Sequence, residues 1–239
     1  MKIRTFLPLA LLAAILTLGC QKEDDPITND TYAFSPAEQV SGKPITEWTQ
    51  NWWAYMFSYG CEEFPILDED GSKAVPSTAG PVIFLPGNFG GSTTRAITVP
   101  GGKALLFPVV NTLWSYHPCY GLADEDAAHA NGTLEEFILS QINPALDGAT
   151  NLSVTLDGYS FTNLAQYRFT SGFYNFVPNP ELADCFGDPC LLQTDLIWLT
   201  GGYWIMLKPL QYGQHTLNFT GTVPANGFEL DITYNITVE

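Results

Sequence analysis

The sequence predicts a mainly β protein: an antiparallel β-sandwich, jelly-roll or Ig-like in type, carrying two short amphipathic helices. Three observations predict it. Charged residues make up 14% of the chain, against roughly 25% in an average soluble domain, and a hydrophobic share of 46% leaves a sizeable core to bury. The 21 glycines and 17 prolines cut the chain into many short runs, the pattern of strands joined by turns. The final segment alternates without a slip, with Phe228, Leu230, Ile232, Tyr234, Ile236 and Val238 on one face and Glu229, Asp231, Thr233, Asn235, Thr237 and Glu239 on the other. Such alternation marks a strand with one face on the core and one in water.

The chain opens with a leader. Met1-Lys2-Ile3-Arg4 is positive, and Phe6 to Gly19 is an uncharged, largely apolar run of 14 residues. A spanning helix needs roughly 20 apolar residues, so this run has the length of a signal-peptide core. It ends in Leu16-Thr17-Leu18-Gly19-Cys20, which resembles a bacterial lipobox. In exported lipoproteins with that motif the cysteine is diacylated and becomes the new N-terminus. The resemblance implies a signal peptide over residues 1–19 and a lipid on Cys20. The following Gln21-Lys22-Glu23-Asp24-Asp25 resembles the lipoprotein export signal of Bacteroidota-type Gram-negative bacteria. That resemblance implies the outer membrane, with the protein on its extracellular face and the lipid as its membrane partner. Residues 20–36 are polar and unpatterned and read as a flexible tether, with a reach of roughly 20–25 Å. Residues 37–239 remain for a single sandwich domain.

Charge restricts the partners. The 25 acidic and 9 basic residues give a net charge of −16, which becomes −18 when Lys2 and Arg4 leave with the signal peptide. Nucleic acid is excluded as a main partner, because binding a phosphate backbone needs clustered Lys and Arg. An anionic membrane surface would repel such a body, so the lipid must do the anchoring.

With Cys20 lipidated, Cys61, Cys119, Cys185 and Cys190 remain, an even number suited to an oxidising compartment. Four cysteines allow three connectivities. The turn-rich Cys185-Phe186-Gly187-Asp188-Pro189-Cys190 favours pairing within itself, which leaves Cys61 for Cys119. Zinc is not expected, because Cys61 and Cys119 do not form a second close pair.

Within the domain, Ile45, Trp48, Trp52, Tyr55, Met56 and Tyr59 recur at helical spacing, so Ile45–Ser58 is a helix stopped by Gly60. Its aromatic stripe reads as a face packed on a sheet rather than a sugar platform. Asp68-Glu69-Asp70-Gly71-Ser72 lacks the ligand spacing of a calcium loop and reads as a solvated turn. Apolar runs from Pro81, Arg95 and Lys103 are strands, and Gly90-Gly91 between the first two is a hairpin turn without phosphate-loop spacing. Here Gly80-Pro81-Val82-Ile83-Phe84-Leu85, Arg95, Val99-Pro100-Gly101-Gly102-Lys103 and Phe107-Pro108-Val109-Val110-Asn111 resemble a family of uncharacterised secreted bacterial proteins. With Gly202-Tyr203-Trp204 onward, the resemblance covers most of the chain. It implies one secreted domain and carries no catalytic residue across.

Residues 112–133 read as an irregular polar and aromatic loop. Thr133 and Glu136 form a capping box that opens a second helix, with Leu134, Phe137, Ile138 and Ile142 on one face and a stop at Asn143-Pro144. Strands resume at Leu152, Tyr167, Phe173, Leu196, Tyr203 and Thr216. His215 sits at a turn leading into a strand and reads as structural.

No Gly-x-Ser-x-Gly elbow and no His-Glu-x-x-His motif occurs. The expected ligand site is the 112–132 loop, through Trp114, Tyr116, His117, Asp124, Asp126 and His129, with the aromatic stretch Phe173–Pro189 as competitor. Tryptophan and tyrosine offer an apolar face and a polar edge, suited to a glycan or a protein segment. The function expected is therefore a non-enzymatic binding module with no cofactor and no metal. A carboxylate- or metal-dependent hydrolase using Asp124, Asp126 and His129 is one alternative, and a structural lipoprotein is another.

Overall fold

The computed structural model describes residues 27–73, 80–121, 130 and 132–239. The segment expected to be a signal peptide, residues 1–19, and Cys20, Asp124, Asp126 and His129 lie outside the described residues. Among the described residues eleven strands run β1 (Gln39–Val40), β2 (Lys43–Pro44), β3 (Val82–Phe84), β4 (Gly91–Val99), β5 (Ala104–Tyr116), β6 (Thr150–Leu156), β7 (Tyr159–Ser160), β8 (Arg168–Thr170), β9 (Ile197–Leu207), β10 (Gly213–Val223) and β11 (Phe228–Val238). The described helices are α1 (Asn29–Tyr32), α2 (Ile45–Met56), α3 (Leu134–Asp147) and α4 (Glu181–Phe186). The two amphipathic helices read from the sequence are α2 and α3.

The strands form the expected sandwich. One sheet has the order β4-β11-β10-β6-β7 and the other β3-β5-β9-β8, with β1 and β2 as a separate ribbon. Neighbours are antiparallel except β4–β11 and β3–β5, which are parallel. The inner faces meet over Phe107, Val109, Ile205, Phe219 and Tyr234, with the Phe107 and Phe219 rings stacked at 4.8 Å. On β11 the alternation holds: Leu230, Ile232, Tyr234, Ile236 and Val238 are buried, and Glu229, Asp231 and Asn235 are exposed.

The second sheet is covered on both sides. On its outer face α2 packs Trp48, Trp52, Trp53 and Met56 against Leu106, Trp198, Trp204 and Met206. On the opposite face, next to the first sheet, α3 packs Phe137, Ile138 and Ile142 on Leu199, whose side chain has the other parity from Trp198. Double coverage explains why β9 is buried almost without interruption. It also explains two departures from expectation. Leu196–Leu199 and Tyr203–Lys208 are one strand, because Gly201-Gly202 does not break it. A Cβ on Gly201 would lie 2.8 Å from Leu146 Cδ1, so the glycine admits α3. Likewise β5 runs through Thr112, Trp114 and Tyr116, paired to Gly201, Leu199 and Ile197, where an irregular loop was expected.

Other boundaries shift for local reasons. The capping box forms, with Thr133 Oγ1 accepting from Glu136 N at 3.1 Å. Yet α3 continues past Pro144 to Asp147, because burying Ile142 and Leu146 outweighs one lost backbone bond. Gly90-Gly91, at φ of 119° and 89°, is a corner between sheets rather than a hairpin, since β3 and β4 belong to different sheets. Phe173–Val177 contributes only a bridge, Tyr174 to Trp198. The stretch expected as tether to residue 36 is docked from Asn29. The Asn29 side chain bonds Thr162 O at 2.7 Å, Ala33 bridges Leu207, and Phe34 N donates to Met206 O at 2.9 Å.

Candidate functional site

Two disulfides shape the end of the molecule where the site lies. Cys61 joins Cys185 with Cα atoms 5.8 Å apart, and Cys119 joins Cys190 at 5.9 Å. Both expected pairings are therefore corrected. Cys185 lies in α4, whose C-cap Gly187 is left-handed at φ 63°. Beyond it the Asp188 side chain caps a 3₁₀ turn, accepting from Cys190 N at 3.0 Å. The helix end turns the chain, so the two cysteines reach separate turns, Cys61–Glu63 and Pro118–Tyr120.

A buried arginine shapes the opposite wall. Arg95 points inward from β4 and is fully buried. Its Nη1 donates to Pro86 O at 2.6 Å and to the Tyr234 hydroxyl at 2.9 Å, and its Nη2 donates to Gly87 O at 3.1 Å and to Asp68 O. The Asp68 carboxylate, also buried, lies 3.9 Å from Arg95 Nε and accepts from Gly71 N at 3.0 Å. The turn expected to be solvated is thus an interior anchor at its first residue. The guanidinium fixes residues 86–87, and so sets where Phe89 stands.

Between these walls lies an open cleft of about 410 Å³. Trp53 comes from α2, Phe57 from the cap just past its end, Leu113 from β5, Trp198 from β9 and Phe186 from α4, while Phe89 and Phe228 close the far side. Phe89 is 59% exposed and Phe186 39%, and their rings meet edge to face at 6.2 Å. Two large exposed rings over a concave aromatic surface are the mark of a binding site rather than of unused surface. Trp53 is held from below, its Nε1 donating to Thr200 Oγ1 at 2.7 Å. Polar atoms lie along one side. Ser115 Oγ and the Tyr120 hydroxyl are 2.8 Å apart, and that hydroxyl donates to Asp188 Oδ2 at 3.1 Å. A smaller chamber of about 80 Å³ continues inward past Asn111, walled by Trp52, Trp53, Ile66 and Gly87.

Of the expected site residues, Trp114 and Tyr116 pack with α3 against Phe137 and Ile138. They point away from the cleft, whereas Leu113 and Ser115, with the opposite parity, line it. His117 Nδ1 accepts from Cys119 N at 3.0 Å, so its Nε2 carries the proton shared with Asp195 Oδ1 at 3.0 Å. Among the described residues no three His, Cys, Asp or Glu side chains gather to hold a metal. The competing stretch Phe173–Pro189 supplies Phe186 and Asp188 to the cleft. Phe89 and Phe228 were missed, because the cleft is assembled from separate segments of the chain. One signal was present: an aromatic beside the paired glycines Gly90-Gly91.

No family model matches this chain, and no curated protein matches it. Among solved structures it is slightly similar to a cysteine protease inhibitor from Entamoeba histolytica, at 11% identity over 62% of this chain and 94% of that one, with a TM-score of 0.21. The solution structure of amebosin is 12% identical over 61% of this chain and 96% of that one, with a TM-score of 0.16. At such TM-scores neither likeness bears on function.

Proposed function

We propose that this protein is a lipid-anchored binding module of the bacterial cell surface. Its tether carries lipid on Cys20 at the outer membrane, and its sandwich body holds an uncharged glycan or protein ligand in the aromatic cleft. The exposed Phe89–Phe186 ring pair over that cleft carries the reading. Among the described residues the cleft walls include the carboxylate of Asp188 and no Lys, Arg or His. Together with the net charge of −16 this selects against anionic ligands. The double change Phe89→Ala and Phe186→Ala tests the reading, since both rings are partly exposed and their loss leaves the core intact. Immobilised glycans and surface-protein extracts should retain the unaltered protein and release the double variant, at equal melting temperature. Equal retention of both would remove the cleft as the site.

A further inference from the structure

We propose that the inner chamber of the cleft is a subsite for an acetamido group, so that the ligand is an uncharged glycan built of N-acetylated hexosamines. This rests on the reading of the cleft as the binding site and adds the chemistry of what enters it. Two buried donors in this region have no partner among the described residues, Asn111 Nδ2 and Trp204 Nε1. Both flank Gly202, where a Cβ would lie 2.8 Å from Asn111 Cβ and 2.7 Å from Trp204 Nε1. Asn111 stands in the walls of both the cleft and the chamber. Trp204 meets the chamber residue Trp52 edge-on at 5.3 Å. A buried donor without an acceptor costs free energy until an acceptor arrives, so Asn111 Nδ2, whose residue lines both spaces, singles out an acceptor oxygen.

The rest of the chamber specifies what carries that oxygen. Trp52, Trp53 and Ile66 are apolar and suit a methyl group. A carbonyl and a methyl on one carbon, small enough for about 80 Å³, describe an acetyl group, which a hexosamine carries on nitrogen as an acetamide. The outer cleft fits the ring that bears it. Phe89 and Phe186 offer faces to the apolar side of a sugar, and Ser115, Tyr120 and Asp188 offer hydrogen-bonding partners to its hydroxyls. An extended peptide fits less well, because its carbonyls lie along a continuous main chain, whereas a chamber of about 80 Å³ with apolar walls takes the end of a short branch that carries a carbonyl and a methyl. Uronates and phosphorylated sugars find no cation in the walls.

Calorimetric titration of the purified protein with the chitin trisaccharide and with cellotriose tests this. The two sugars share a linkage and differ by acetamide against hydroxyl. The chitin trisaccharide should bind, and cellotriose should bind about tenfold more weakly or less. Asn111→Leu keeps the size of the side chain and removes the donor. It should cost the acetylated sugar about tenfold in affinity and leave cellotriose unchanged, without lowering the melting temperature. Equal binding of both sugars, or an Asn111→Leu variant with unaltered affinity, overturns the subsite while the cleft stands. Binding of neither sugar also overturns it. Retention of the Phe89→Ala and Phe186→Ala double variant on the same extracts then decides separately whether the cleft binds anything, a peptide included.

Discussion

Arg95 ties β4 to the turn at Asp68, to residues 86–87 and to Tyr234 of β11. Changing Arg95→Met takes the positive charge away from the buried Asp68 carboxylate and removes the guanidinium donors from the carbonyls of Asp68 and Gly87, while Pro86 O keeps the Tyr234 hydroxyl. The expected cost is about 3–5 kcal/mol, read as a fall in the urea midpoint, and Asp68→Asn in the same chain should return part of it. A loss below about 1 kcal/mol would show that the pair carries no such weight. Burial raises the Tyr234 hydroxyl pKa, so this group stays protonated and donates to Pro86 O at 2.7 Å. Tyr234→Phe should therefore cost about 1 kcal/mol. Asn235→Asp, one residue on but facing water, should change stability by about 0.5 kcal/mol or less. The facing of Tyr234 and Asn235 was legible in the sequence, because alternation alone fixes it. The role of Arg95 was not: an inward arginine breaks the strand's pattern, and its partners come from another turn that no local rule connects to it.

At the scale of elements, the corner between β6 and β10 is a pH-dependent clasp. His215 Nδ1 lies 2.6 Å from Asp157 Oδ2 and Nε2 lies 2.8 Å from Gln211 O. Both partners accept, so both ring nitrogens carry protons and the imidazolium fits best. Burial works against that charge, but the Asp157 carboxylate and the Gln211 carbonyl outweigh it and raise the pKa above 6.5. A raised folded value means stabilisation that is complete below the unfolded pKa and is lost as pH rises through the folded one. The melting temperature should accordingly fall as pH rises from about 6.5 through the raised folded value, and His215→Gln should flatten that slope. An unchanged slope in the variant would free His215 of this role. The structural reading of His215 was legible from its place before a strand. So were α2 and the start of α3, whose periodicity and capping box are local. The continuity of β5 and β9 was not, since strands buried on both faces lose the alternation that marks them.

The whole molecule is stapled by Cys61–Cys185 and Cys119–Cys190, which span 124 and 71 positions. Chain entropy gives each loop about 4–5 kcal/mol against the unfolded state. Reduction should lower the melting temperature steeply, and unreduced peptide maps should show Cys61 linked to Cys185. A linked Cys185–Cys190 peptide would refute the arrangement. Changing Cys20→Ser should release the protein from the outer-membrane fraction, and retention with the same mature N-terminus would refute lipid anchoring. The sandwich class and the number of cysteines were legible from composition. The cleft was not, because it exists only where α2, two strands of one sheet, the start of β11 and α4 converge. The two staples also overlap along the chain: residues between Cys119 and Cys185 lie inside both loops. A single cut by an envelope protease there leaves two fragments still held by two covalent bonds. Such a nicked molecule would keep its full mass on a non-reducing gel with its two parts still joined, and only a reductant would expose the break.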